Sequence, residues 1–367
     1  MCPKAAFSRT PVFKVAIPDF PASFPAMRDE AHSDVLKVWL YAAASVVLGA
    51  WMTPLVYNMG KALAEVASVK QTNGPIEWLA GVCRAASFPG FFTGSLIFAA
   101  VILFFPFVEW LRGGRAREGS AKRPWQIRLP EGARQREGGQ RLLKGYSPLR
   151  LGLNGFMVVT GLFLLIGGVL IVAGVFEWRS PQSGFLKMAL RAALWAFGLA
   201  ALQEVLFRGI AMGIFLRAMG PAKALGMSAV FFALVFFLKP AAGLNVADPD
   251  GSGTGFEMLG KVLAGFTQLR TVLGSFLPLL ALGGVLAFAR WRTASLWLPI
   301  GLNAGWIFVN GIMGAMTVTV SPPDSMMWVI SGAALRQGLV PVAGILIAGI
   351  LIDYLTAPEP DVPDASS

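Results

Sequence analysis

Apolar residues run along this chain in blocks of about twenty, set apart by short polar stretches with glycine and proline. A block of that length crosses the hydrocarbon core of a bilayer as a helix, so the pattern predicts spanning helices near residues 35–58, 88–111, 151–176, 187–208, 222–241, 271–289, 294–316 and 338–356. The expected fold class is all-α, a polytopic membrane protein with about eight transmembrane helices. The first block is long, follows a mixed-charge tail and has no small-residue cleavage site after it, so it reads as an uncleaved anchor rather than a signal peptide. The resulting organisation is a tail over 1–34, two helices over 35–111, a basic loop over 112–150, a helical domain over 151–356 and a second tail over 357–367.

Charge orients this array. The segment between the second and third blocks sets Arg112, Arg115, Arg117, Lys122, Arg123, Arg128 and further basic residues against Glu118, Glu131 and Glu137. The positive-inside bias places such a loop on the cytoplasmic side. Both termini then lie inside, as do Arg217 and Lys223 between the fourth and fifth blocks and Arg290 and Arg292 between the sixth and seventh. The less basic segment 243–256 and the turn Ser321-Pro322-Pro323-Asp324 fall outside. The loop reads as a topology signal on a flexible linker, with anionic lipid head groups as its alternative use.

Composition sharpens the class. The chain is 55% hydrophobic and 14% charged, against about 25% charged for a soluble domain, which excludes an ordinary soluble enzyme. The formal charge of +11 therefore reads as loop charge, with membrane lipids as partners and no nucleic acid. Cys2 and Cys83 are far apart and have no CxxC partner, so neither a disulfide framework nor a cysteine zinc site is indicated. Asp248-Pro249-Asp250-Gly251-Ser252-Gly253 opens like a calcium loop, but the twelfth position is Leu259 instead of glutamate. It reads as a glycine-rich turn. The single histidine, His32, precedes the first block and reads as interfacial or solvated.

Ionisable and amide groups inside the blocks are where chemistry is sought, because hydrocarbon penalises them. Glu204 and Arg208 are four apart and share a helix face, with the acid first, the favourable order. Two readings stand: an ion pair near the cytoplasmic end whose arginine snorkels to the interface, or part of a catalytic site. Asn303 and Asn310 share a face of the seventh block with Trp306 nearby, and they read as packing hydrogen bonds or as catalytic amides. The fifth block has no ionisable group before Lys239 and reads as a lipid- or core-facing aromatic helix.

The string Gln203-Glu204-Val205-Leu206-Phe207-Arg208-Gly209 resembles the EExxxR motif of the CAAX prenyl protease and bacteriocin-processing (CPBP, Abi) intramembrane endopeptidases. SAVFFALVF, around Phe232, resembles that family's FxxxH segment, and SLWLPIGLNAGWIF, around Asn303, its HxxxN segment; together the likeness covers roughly 187–316. The resemblance implies an eight-helix bundle with an intramembrane site. There a glutamate activates water, histidines assist or hold a metal, and an asparagine stabilises the oxyanion.

This chain departs from that pattern where the chemistry sits. The first glutamate is Gln203, the motif-two histidine is Phe236, and the motif-three histidine and asparagine are Asn303 and Ile307; Glu204 and Arg208 are retained. Gln203 is no base near neutral pH, Phe236 has no lone pair, and Ile307 has no donor. No metal or other cofactor is therefore expected. The resulting reading is a degenerate member, a pseudoprotease of a bacterial inner membrane that binds a hydrophobic or lipidated peptide or a partner helix. The alternatives are an active endopeptidase rearranged around Glu204 and Asn303, and a transporter-like role for which no inverted repeat is visible.

Overall fold

Proline and serine set several of the helix starts. Pro148 stands at the first turn of one helix, where Ser147 accepts a hydrogen bond from the Arg150 N–H, and Pro221 opens another after Gly220; proline at this position sacrifices no helical hydrogen bond. The computed structural model describes residues 25–70, 73–113, 147–179, 184–241, 243–320 and 335–356. Cys2, the basic segment 114–146, the turn at 321–324 and the C-terminal tail lie outside the described residues.

The helices are α1 (Pro25–Val69), α2 (Gly74–Ala85), α3 (Phe88–Gly113), α4 (Pro148–Val172), α5 (Phe185–Ala218), α6 (Pro221–Phe237), α7 (Thr254–Ala264), α8 (Leu269–Thr293), α9 (Trp297–Met316) and α10 (Leu339–Leu355). Six of them, α1, α3, α4, α5, α8 and α9, are long and apolar enough to cross a membrane; α6 and α10 are shorter apolar helices of 17 residues each. Each expected block falls on one of these eight, and the chain is an all-α integral membrane protein. Exposed leucines, tryptophans and valines along α1, α3 and α4 face where lipid lies.

Several features differ from the sequence expectation. The first helix extends well beyond 35–58, and α5 continues past Arg208 to Ala218 through a π-helical stretch, Val205–Ala211. The short helices α2 and α7 occupy stretches expected to be loop. They are amphipathic and pack on α1, so tertiary contact, not span length, holds them. A two-stranded antiparallel ribbon, β1 (Phe176–Trp178) with β2 (Thr317–Thr319), joins the C-terminal ends of α4 and α9. His32 is exposed on α1. Thr254 Oγ1 donates to the Asp248 and Gly251 carbonyls, closing the turn that leads into α7.

The central helix is α9, flanked by α4, α5 and α8. Its contact with α4 is the most extensive between two helices among the described residues, and glycines let the backbones touch there. A Cβ at Gly301 would strike the Gly152 carbonyl oxygen, and one at Gly155 would lie 2.8 Å from the Leu298 carbonyl oxygen. A second close approach brings Gly283 of α8 onto Ala229 of α6. These two approaches fix where α9 and α8 present their polar atoms.

Candidate functional site

Glu204 ends the α-helical part of α5, and Arg208 follows within the π-helical stretch. Both side chains are completely buried. Arg208 Nη1 donates to Glu204 Oε1 at 3.1 Å, and Nη2 donates to the Gly283 carbonyl oxygen at 3.1 Å. The Phe232 ring lies against the guanidinium, 4.3 Å from Cζ to centroid, a cation–π contact. Arg208 therefore does not snorkel; an acidic partner, a carbonyl and an aromatic face hold it inside the bundle.

Asn303 comes in from α9. Its Nδ2 donates to Glu204 Oε1 at 2.8 Å and to Gln203 Oε1 at 2.9 Å, so the two N–H groups of one amide engage two consecutive residues of α5. Glu204 Oε1 thus accepts from both Asn303 and Arg208, while Glu204 Oε2 and Arg208 Nε are buried without a hydrogen-bond partner among the described residues. Asn310 behaves differently. Its Nδ2 donates to the Trp306 carbonyl within α9, so it does not join the cluster or bridge helices through that group.

The remaining motif positions are apolar. Phe236 packs against Phe232 at 4.5 Å and Phe207 at 5.6 Å between ring centroids, and α6 turns its buried Phe231 and Phe232 to the core. Ile307 packs between the main core and the small cluster formed by Ala196, Ala200, Ile300 and Ala304. The structure therefore brings together Gln203, Glu204, Arg208 and Asn303, with Phe236 beside them on the aromatic side. Gly283 and the π-helical winding were not singled out from sequence. The signal available was the small pair Gly283-Gly284, since small residues in spanning helices mark close backbone approach.

Residues 185–309 match the family model described as type II CAAX prenyl endopeptidase Rce1-like. Through this segment the chain is similar to that family. The Rce1-like segment holds Gln203, Glu204, Arg208, Phe232, Phe236, Asn303 and Ile307. No curated protein and no solved structure matches the chain.

The donors at the Rce1-like motif positions do not fit a metal ion or a histidine-assisted reaction. Phe236 fills the motif-two histidine position with hydrocarbon, and Glu204 Oε1 meets one neutral amide, Asn303, and one cation, Arg208. Among the described residues no three His, Cys, Asp or Glu side chains come together. In this set of groups a buried acid is matched by a buried cation, and an amide links the acid to the next helix.

Proposed function

We propose that the chain is a pseudoprotease of the CAAX-protease-like architecture, one that binds a hydrophobic or lipidated peptide or a partner helix without cutting it. The observation that carries this reading is the double engagement of Glu204 Oε1 by Arg208 and Asn303 beside an aromatic Phe236. A general base has to present a free carboxylate to water next to the scissile carbonyl. Here one carboxylate oxygen, Glu204 Oε1, is clasped by Arg208 and Asn303, and both N–H groups of Asn303 are committed within the clasp, leaving none for an oxyanion. The membrane is read as a bacterial inner membrane, with both termini and the basic segment 112–150 on the cytoplasmic side by the positive-inside bias.

The test is mass spectrometry of a mixed peptide and prenyl-peptide pool incubated with the detergent-purified protein. The expected result is no cleavage by the native chain, and cleavage by a variant combining Gln203→Glu, Phe236→His, Asn303→His and Ile307→Asn. Cleavage by the native chain that vanishes in Glu204→Ala overturns the reading. That outcome would support the second reading, a rearranged endopeptidase, which the unpartnered Glu204 Oε2 favours.

A further inference from the structure

Hydrogen-bond chemistry fixes the orientation of each amide at the site. The ion pair with Arg208 makes Glu204 Oε1 an acceptor, so the Asn303 atom 2.8 Å from it is the nitrogen. The second N–H of that nitrogen is directed at Gln203, so the Gln203 atom 2.9 Å away is the oxygen. Gln203 Nε2 must then face away from the clasp. Among the described residues no acceptor takes a hydrogen bond from it. Whereas Glu204 and Asn303 are buried, Gln203 is part-exposed.

The residues flanking Gln203 along its helix face and the motif positions Phe236 and Ile307 on the neighbouring helices are apolar. Leu199, Leu202 and Leu206 stand exposed beside it on α5, and Phe236 and Ile307 are half-buried on the neighbouring helices. The other flank of α5 is already taken, by Phe197 stacked on Phe156 of α4 at 5.0 Å. A primary amide with two free N–H groups on an apolar wall is unfavourable in hydrocarbon unless an acceptor arrives. Gln203 also lies near the middle of the 34-residue α5, far from the interfacial level of lipid ester carbonyls. An apolar chain that carries carbonyls along its length is a peptide.

We propose that Gln203 is a specificity-determining residue that donates from Nε2 to a backbone carbonyl of the hydrophobic peptide bound against Leu199, Leu202, Leu206, Phe236 and Ile307. The proposal rests on the binding role given above. At this position the family motif has a carboxylate, which only accepts; the glutamine offers donors in its place.

The experiment is a fluorescence-polarisation titration of the detergent-purified full chain with a fluorescein-labelled decapeptide amide of Leu, Ala and Val. The native chain binds saturably, and Gln203→Leu binds about fivefold to tenfold more weakly, the scale of one net hydrogen bond. Gln203→Glu weakens binding at least as much. A probe with an ester in place of its central amide, which has a poorer carbonyl acceptor, loses affinity for the native chain but not for Gln203→Leu. Matching thermal melts establish that the variants are folded. Equal affinity of native chain and Gln203→Leu overturns the proposal and leaves the binding role standing; no saturable binding by the native chain overturns both. If phosphatidylglycerol displaces the probe and its own retention depends on Gln203, the donor serves a lipid carbonyl, and the peptide assignment fails.

Discussion

Asn303 Nδ2 sits 2.8 Å from Glu204 Oε1, joining α9 to α5 across 99 positions of sequence. It is a hydrogen bond between two buried side chains inside the bundle. Breaking it exposes the weakness of a peripheral helix, since α5 leans chiefly on α9 through the small residues Ala196 and Ala200. Asn303→Leu is expected to destabilise the protein by about 1–2 kcal/mol, the upper range for interhelical hydrogen bonds in membranes. Asn303→Asp sets a second carboxylate against Glu204 and should cost more. Thermal melts in detergent give both values.

Removal of one member of the buried ion pair strands the other. Glu204→Leu leaves the Arg208 guanidinium with only the Gly283 carbonyl and the Phe232 ring, and a loss of about 3–5 kcal/mol follows for an uncompensated buried charge. The double variant Glu204→Leu/Arg208→Met should recover most of that loss. A double-mutant cycle by denaturant titration checks it, and additive losses would mean that the pair does not act as a unit.

The contact of α4 with α9 admits no side chain at Gly301. Gly301→Ala drives a methyl group into the Gly152 carbonyl, and a loss of about 1–3 kcal/mol is expected from overpacking. Gly161→Ala and Gly168→Ala, where an added Cβ meets open space, should be nearly neutral. Comparing the three melting temperatures separates close approach from any general effect of glycine replacement.

Phe236→His alone should leave the protein inactive in the peptide-cleavage assay. An imidazole placed among Phe207 and Phe232 finds no polar partner there, at a penalty of about 1–3 kcal/mol. Cleavage by this single variant would show that one histidine suffices and that the clasp around Glu204 is no barrier to catalysis.

The apolar blocks were legible because hydrocarbon demands length and hydrophobicity, and all eight fall on helices. The pairing of Glu204 with Arg208 was legible too, since four residues of helix place both on one face. The burial of Arg208 was not: sequence spacing carries no information about Gly283 of α8, whose carbonyl and close approach to Ala229 hold the guanidinium inside. Asn303 and Asn310 looked equivalent at seven residues apart, yet one crosses to α5 and the other turns back to its own helix. That difference depends on which neighbour offers an acceptor at each level. The helices α2 and α7 and the ribbon escaped because packing on α1 and pairing between distant strands leave no block of twenty apolar residues.

The ribbon bears on how the molecule can move. It clips together the far ends of α4 and α9, whose near ends already interlock at Gly152 and Gly301, so the two helices have the mechanics of a single beam pinned at both ends. Such a beam resists shear and cannot splay. The amide that engages Gln203 and Glu204 is carried on that beam, so the register of α5 is read against its stiffest neighbour.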